Sequence, residues 1–351
     1  MSLPSVKNVE VKAKKVLLRT NYDVPITADG RVADGTRIYE SFETIKYLLS
    51  QKAKLIIISH LDRPGGKVVP GLSLSAVVER MRMKIAGVKI GFSGEILGEK
   101  TKRMVSDLKS GELLVLENLR FDNAEMDNDP EFSKSLASLA QVFINDAFAV
   151  SHRQHASIVG LPSLLPTAFG LDFLEEVEVL SRVKDHPQRP VVLVLGGRKK
   201  GKLVAINKLL EWADSILVGG KLVEYPEFRK FLSSKKISAS LTKAGEDITM
   251  ETVASFRKII VKAKTIVWSG PMGAFEDERF QRGTEKVAQM IAGTKAFKVV
   301  GGGDTEAALT KLNLKEEVDY ISSGGSAMLA YLANKTLPGI EAVVKKPKTK
   351  N

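Results

Sequence analysis

Short uninterrupted apolar runs, each followed by a loop and an amphipathic helical segment, recur along this chain. They occupy residues 16–18, 55–58, 113–116 and 142–144 in the first half, and 191–195, 216–218, 265–268, 297–300 and 320–321 in the second. Continuous runs, unlike alternating ones, are typical of parallel strands covered by helices on both faces. The pattern therefore predicts an α/β fold with two doubly wound, Rossmann-like parallel sheets.

Length also favours two domains, because 351 residues are many for a single hydrophobic core. A helix predicted over residues 171–184, followed by Pro187 and Pro190, separates the two sets of strands. We predict an N-terminal domain over residues 1–170, a connecting helix over 171–186 and a second domain over 187–330. A C-terminal segment over 331–351 ends in a basic tail.

Composition narrows the class of protein. No run approaches about 18 apolar residues, so no membrane-spanning helix is expected. The absence of cysteine excludes disulfides and thiolate metal sites and favours a cytoplasmic location. The net charge of +12 suits either nucleic acid or a small anionic substrate. Aromatic residues make up only 6% and do not interleave with basic ones, so we favour the small anion.

The residues that follow the predicted strands differ between the two halves. Ligands of open parallel sheets bind beyond the carboxyl ends of the strands. Such positions are basic in the first half, namely Arg19, Arg37, His60, Arg63, Arg120, His152, Arg153 and His155. They are glycine in the second half, namely Gly196, Gly197, Gly219, Gly220, Gly270, Gly273 and Gly301 to Gly303. One such residue is usually a surface arginine or a turn, but the recurrence suggests transfer between two bound ligands.

The glycines at 301–303 lie between a predicted strand and a helix predicted over residues 304–312. The free N–H groups at such a helix start suit a phosphate, and Asp304 suits the accompanying metal ion. A tight turn capped by Asp304 explains the same residues equally well. These residues alone leave both interpretations open.

Several longer motifs resemble one known family over nearly the whole chain. They are LRTNYDVP (18–25), GTRI (35–38), SHLDRP (59–64), ENLRF (117–121), NDAF (145–148), HRQHAS (152–157), LGG (195–197), GPMGAFE (270–276), GGGDT (301–305) and LPG (337–339). In this order they resemble the phosphoglycerate kinase family. The resemblance implies reversible phosphoryl transfer from ATP, with Mg²⁺, to the carboxylate of 3-phosphoglycerate, giving 1,3-bisphosphoglycerate and ADP. It also implies a monomer with a ligand cleft between its domains and a C-terminal segment that returns to the first domain.

The resemblance also implies site residues, carried over motif by motif. Substrate would be held by Arg37, His60, Arg63, Arg120 and Arg153, with Asn21 and Asp23 beside its hydroxyl group. Arg37 and Lys199 would be catalytic, Lys202 would contact nucleotide phosphates, Glu276 the ribose and Asp304 the Mg²⁺. The remaining nucleotide-binding positions would be Gly196, Gly197, Gly219, Gly220, Gly301, Gly302, Gly303 and Thr305.

Three departures from the family pattern affect these expectations. Asn21 and Asp23 stand in the reverse of the usual order, although extended residues two apart share a face. The lysine loop over 197–203 is one residue short, so either Lys199 or Lys200 is the catalytic lysine. The region over 221–264 is much shortened, which predicts a more open adenine pocket.

These departures leave a second hypothesis open. It is a non-catalytic relative that binds an anionic metabolite or nucleic acid. A dehydrogenase is disfavoured because no Gly-x-Gly-x-x-Gly follows the first strand.

Overall fold

The computed structural model describes residues 3–242 and 245–345. Most of the predicted basic tail, from residue 346 onward, lies outside these ranges. The chain forms two compact units. The first comprises the chain up to Val177 and the segment from Thr336 onward, and the second comprises Glu178–Lys335. No helix among the described residues is long and apolar enough to cross a membrane.

The first unit is built on a six-stranded sheet in the order β3-β4-β2-β1-β5-β6, and the pairs are all parallel. The strands are β1 (Lys15–Arg19), β2 (Lys54–Ile58), β3 (Ile90–Phe92), β4 (Leu113–Val115), β5 (Val142–Asn145) and β6 (Thr167–Phe169). Successive residues of β1 enter different cores: Leu18 joins one cluster of buried side chains and Leu17 another. The sheet is therefore covered on both faces, as continuous apolar strands require.

Helices and short turns cover this sheet. The α-helices are α1 (Thr36–Glu40), α2 (Phe42–Ser50), α3 (Ser75–Lys84), α4 (Glu99–Asp107), α5 (Asn123–Met126), α6 (Pro130–Ala137), α7 (Leu161–Leu164) and α8 (Leu171–Asp185). Short 3-10 turns span Val6–Asn8, Pro70–Leu72, Leu119–Phe121 and Phe148–Val150, and a π-helical turn spans Ala156–Gly160. The boundary between the two units falls inside α8, after Val177.

The second unit repeats the architecture with the order β12-β11-β10-β7-β8-β9, again all parallel. Its strands are β7 (Val191–Leu195), β8 (Ser215–Val218), β9 (Ile237–Ala239), β10 (Thr265–Ser269), β11 (Phe297–Gly301) and β12 (Tyr320–Ser322). Its helices are α9 (Lys202–Trp212), α10 (Met250–Ile260), α11 (Arg282–Ala292), α12 (Gly303–Lys311) and α13 (Gly325–Asn334). Short 3-10 turns span Gly220–Glu224, Pro226–Phe231, Glu278–Phe280 and Lys315–Glu317. The predicted class, an α/β chain with two parallel sheets, is confirmed.

The last described helix, α14 (Pro338–Val344), packs on the first unit. The Gly339 N–H donates to the Ser151 carbonyl at 2.9 Å. A Cβ on Gly339 would lie 2.9 Å from both the Ser151 hydroxyl and a methyl of Ile158. Because such contacts are too short for a side chain, the approach of α14 requires glycine here.

Candidate functional site

A fully buried arginine underlies the basic strand ends of the first unit. Arg19, the last residue of β1, is 0% exposed. Its Nε donates to the Ser157 hydroxyl at 2.9 Å, and its Nη1 donates to the Thr20 carbonyl. Glu125 lies 3.9 Å away and accepts from the hydroxyl and the backbone N–H of Ser157, at 2.6 and 2.9 Å. Burial lowers the pKa of Arg19 to about 10, so the guanidinium stays charged at neutral pH.

Arg19 also fixes the protonation of His60. The Arg19 Nη2 lies 3.2 Å from the Nδ1 of His60, and a guanidinium can only donate. The Nδ1 is therefore the acceptor nitrogen. Burial, with the charges of Arg120 and Arg19, lowers the pKa of His60 well below its usual value. His60 is thus a neutral ring whose Nε2 carries the proton.

Backbone and side-chain bonds link three further predicted substrate residues. Arg37 donates to the Asp23 carbonyl, and its Nη1 lies 3.9 Å from the Asp23 carboxylate. That carboxylate accepts from the Asp62 N–H at 2.8 Å, and Arg120 donates to the Asp62 carbonyl at 2.7 Å. Asp62 has a φ of +53°, which turns its carbonyl and N–H toward these two partners. The loops after β1, β2 and β4 are thereby joined.

Arg120 and Arg153 each keep a buried Nε that has no hydrogen-bond partner among the described residues. Burial and the charges of Arg19 and Arg153 lower the pKa of Arg120 to about 10. Burial and the neighbouring Arg63 lower the pKa of Arg153. Arg63 itself is exposed, and Asn21 is buried, with 8% exposure. Buried donors without an acceptor are rare and need an explanation, and a bound anion supplies one.

The second unit contains an open cavity of about 730 Å³ at the carboxyl ends of its strands. Five predicted nucleotide-binding residues line it: Gly197, Lys199, Gly220, Glu276 and Asp304. Other lining residues are Arg198, Lys221, Glu246, Pro271, Gly273 and Ala274, none of which the sequence analysis assigned to the nucleotide. The charged ones, Arg198, Lys221 and Glu246, carried no signal in the sequence, because each alone is typical of a protein surface.

The other predicted glycines serve close backbone packing. A Cβ on Gly196 would lie 2.0 Å from the Pro271 carbonyl oxygen, and one on Gly219 would lie 2.9 Å from the Met272 carbonyl oxygen. A Cβ on Gly301 would meet the Met328 sulfur at 2.8 Å. Gly196 and Gly219 let the loops after β7 and β8 approach the loop after β10, and Gly301 lets the end of β11 approach α13. Gly302, with a φ of +102°, turns the chain into α12, which begins at Gly303.

The side chains of the two candidate lysines, Lys199 and Lys200, have different neighbours. Lys199 lines the cavity together with Asp304. The Lys200 Nζ lies 2.6 Å from a carboxylate oxygen of Glu227 and 5.9 Å from the ring centroid of Tyr225. This geometry favours Lys199 over Lys200 as the lysine that faces a nucleotide.

Lys202 lies beneath the cavity rather than on its lining. Its Nζ donates to the carbonyls of Gly196 and Ser269 at 2.9 and 2.8 Å, which joins the ends of β7 and β10. Burial, reinforced by the charge of Lys199, lowers the pKa of Lys202 to about 7. The hydroxyl of Thr305 is likewise engaged, since it accepts from the Gly270 N–H at 2.7 Å.

Asp304 is the acidic residue best placed for a metal ion. Its side chain is exposed, lines the cavity and belongs to the first turn of α12. Across residues 3–242 and 245–345 no group of three acidic or histidine residues could enclose a metal. Mg²⁺ is usually bound by one or two carboxylates together with substrate phosphates. A single exposed carboxylate on the lining of this cavity therefore fits the ion.

Fold and site define a class: an α/β protein with a cluster of basic residues at the sheet edge of one unit and a glycine-lined cavity in the other. Solved structures share this fold. Phosphoglycerate kinase from Pyrococcus horikoshii OT3 matches with a TM-score of 0.83 and 27% identity, over 97% of this chain and 98% of that one. The enzyme from Coxiella burnetii matches with a TM-score of 0.78 and 29% identity, over 98% and 99%.

Sequence comparisons lead to the same family. The family model described as Phosphoglycerate kinase matches residues 6–242 and 226–335. A phosphoglycerate kinase from Thermosipho africanus is 37% identical over 400 aligned positions, covering 99% of both chains. One from Pseudothermotoga lettingae is 36% identical over 394 positions, covering 98% of this chain and 99% of the relative. The chain belongs to the phosphoglycerate kinase family, as its motifs predicted, and has phosphoglycerate kinase activity.

The chain is a shortened member of this family. Both alignments contain more positions than its 351 residues, so the relatives have segments that it lacks. The two matches to the family model overlap at residues 226–242. This overlap lies within the region over 221–264.

Proposed function

We propose that the first unit binds 3-phosphoglycerate, that the second binds Mg·ATP, and that the γ-phosphoryl group passes between them. The observation that carries this proposal is the cation cluster of the first unit. Arg120 and Arg153 keep buried Nε groups without acceptors, and His60 is a neutral ring within reach of both charges. A substrate with a phosphate and a carboxylate supplies the acceptors that such donors need.

Each substrate residue then has a role that follows from its surroundings. Arg120 and Arg153, with the exposed Arg63, neutralise the substrate phosphate. The Nε2–H of His60 donates to the same anion, because Arg19 occupies its other nitrogen. Asp23 and Asn21 contact the hydroxyl group. Asp23 also holds Arg37 near the substrate carboxylate.

In the second unit the cavity receives the nucleotide. Gly197 and Gly220 let the backbone approach the adenosine moiety, and Glu276 accepts from the ribose. Lys199 and the N-terminal turn of α12 face the phosphates. Asp304 holds the Mg²⁺, which neutralises phosphate charge when bound.

The chemistry needs little covalent work from the protein. A carboxylate oxygen of the substrate attacks the γ-phosphorus. The new bond joins the carboxyl group to phosphorus, and the bond to the β-phosphate oxygen breaks to release ADP. The substrate carboxylate is already ionised, so no protein nucleophile or general base is required. Arg37 and Lys199 stabilise the charge on the transferred group, which is the main contribution in phosphoryl transfer. We further propose that a monomer suffices, because the residues assigned to each substrate lie within one unit. We also propose that it acts in the cytoplasm, which the absence of cysteine favours.

A coupled assay with Mg·ATP and 3-phosphoglycerate tests these roles in three variants. Arg37→Ala and Lys199→Ala should each lower kcat by about 10²- to 10³-fold, since each removes a donor that stabilises transition-state charge. Lys200→Ala is the matched control and should stay within about threefold of the unsubstituted enzyme, because Lys200 is paired with Glu227. Loss of activity in Lys200→Ala with a normal Lys199→Ala would reverse the assignment. Binding of 3-phosphoglycerate without turnover by the unsubstituted chain would favour the non-catalytic alternative.

A further inference from the structure

A second cavity lies in the first unit, and none of the residues assigned to either substrate lines it. Its open volume is about 950 Å³. One wall is a hairpin that is closed by the bridge between Ile26 and Val32. The other is one face of α3, because its lining residues Ala76, Glu79, Arg80 and Met83 recur at spacings of three and four. The hairpin contributes Thr27, Asp29, Gly30, Arg31, Val32 and Ala33.

Some charged side chains that line this cavity have an ion-pair partner, and one does not. Asp29 accepts from the Nε of Arg31 at 2.7 Å. Glu79 lies 2.5 Å from Arg82 of the same helix. Both lining carboxylates are therefore already paired. Arg80 makes no salt bridge in the described part of the chain, and its buried Nε has no hydrogen-bond partner.

A second unpartnered donor lies beside Arg80. The Tyr39 hydroxyl is buried without a hydrogen-bond partner, and the Arg80 guanidinium carbon lies 5.9 Å from the centroid of that ring. A Cβ on Gly35 would lie 2.7 Å from the hydroxyl and 3.2 Å from the Arg80 Nε, so both groups pack closely against Gly35. Burying a polar group without a partner is unfavourable. Arg80 lines the cavity, so an anion bound there can accept from its guanidinium.

The rest of the lining is apolar. Val32, Ala33 and Ala76 form the wall, and Met83 extends it with a side chain that is 75% exposed. An exposed methionine adapts to ligands of different shape. An all-polar anion such as 3-phosphoglycerate would leave this wall uncovered. The lining therefore suits a ligand with an apolar body.

We propose that this cavity binds a small molecule with one anionic group on an apolar body. Arg80 holds the anionic group, and Val32, Ala76 and Met83 contact the body. The site does not depend on the substrate assignments above, because none of its residues belongs to them.

The test is a fluorescence titration with 1-anilinonaphthalene-8-sulfonate, a monoanion with an apolar body. Saturating Mg·ADP and 3-phosphoglycerate are present, since these two cannot react together and they block the substrate sites. The neutral N-phenyl-1-naphthylamine is the matched probe without charge. Arg80→Gln removes the cation, and Ala76→Leu fills the cavity. Arg103→Gln, on α4, is the matched control, because Arg103 neither lines the cavity nor pairs with a residue that does.

The proposal expects saturable binding of the sulfonate that Arg80→Gln weakens by about tenfold or more. Ala76→Leu should weaken both probes, and Arg103→Gln should leave both unchanged. Normal kcat in each variant would show that the fold is intact. Equal binding to Arg80→Gln, loss of binding whenever substrates are present, or equal affinity for the neutral probe would each overturn the proposal.

Discussion

Replacing Arg19 with Met leaves the carboxylate of Glu125 buried without its ion-pair partner. In the native first unit Glu125 is 0% exposed, as is Arg19, whose guanidinium lies 3.9 Å from it. Burial alone raises the pKa of Glu125, and Arg19 is the first group that opposes this rise. Removing one member of a buried pair costs about 3–5 kcal/mol. For a unit of this size that loss lowers its melting temperature by about 6–20 °C.

The sign of the pH dependence gives a sharper test. Without Arg19 the folded-state pKa of Glu125 rises further above the ordinary value of 4.5. The folded chain then binds a proton that the unfolded chain releases. Stability therefore falls as pH rises from about 4.5 to the folded pKa. Arg19→Met should be least harmful near pH 5 and most harmful near pH 8, and adding Glu125→Gln should remove this dependence.

Urea denaturation at pH 5 and pH 8 measures both effects. Far-UV circular dichroism follows both units, whereas fluorescence follows the second alone, because both tryptophans, Trp212 and Trp268, lie there. The substitution should shift the circular dichroism transition more than the fluorescence transition. A loss below about 1 kcal/mol, or a double variant no more stable than Arg19→Met at pH 8, would refute the reasoning.

Two predictions concern the second unit and are read from tryptophan fluorescence. The pKa of Lys202 is lowered to about 7 from 10.5, so the unfolded chain binds more protons above pH 7. Stability should rise with pH between 7 and 9 by about 1 kcal/mol per unit, and an unchanged slope in Lys202→Met would contradict this. Gly220→Ala should lower the free energy of unfolding by more than about 1 kcal/mol, because the φ of Gly220 is +60° and its Cβ would lie 2.6 Å from the Gly197 nitrogen. The same substitution should weaken ATP binding measured by calorimetry. Gly201→Ala, with φ −56° and open space around it, is the control, and equal losses would show that the backbone contact is unimportant.

Apolar patterning found the central strands but not most of the edges. The three strands that it missed are β3, β6 and β9, each three residues long and each at the edge of its sheet. An edge strand is flanked on one side only and needs fewer apolar residues. The helix predicted over residues 171–184 matches α8, Leu171–Asp185, because a long amphipathic segment carries a strong signal.

The contacts of individual side chains were harder to predict than the positions of strands and helices. The sequence grouped Arg19 with the basic residues that follow the strands. Its guanidinium is instead fully buried and orients His60. Sequence likewise gave no sign that Lys202 bonds two backbone carbonyls. Both outcomes depend on loops far apart in the chain, and periodicity within one element carries no information about them. The motifs identified the family, whereas the pairing of Lys200 with Glu227 required the structure.

The return of α14 to the first unit has a consequence for synthesis on the ribosome. The second unit, Glu178–Lys335, is one continuous stretch, whereas the first is divided between the beginning and the end of the chain. The partners of α14, Ser151 and Ile158, are translated almost two hundred residues before Gly339. The unit that begins first is therefore completed last. A nascent chain stalled just after Lys335 contains every residue of the second unit, while Ser151 still lacks the N–H of Gly339.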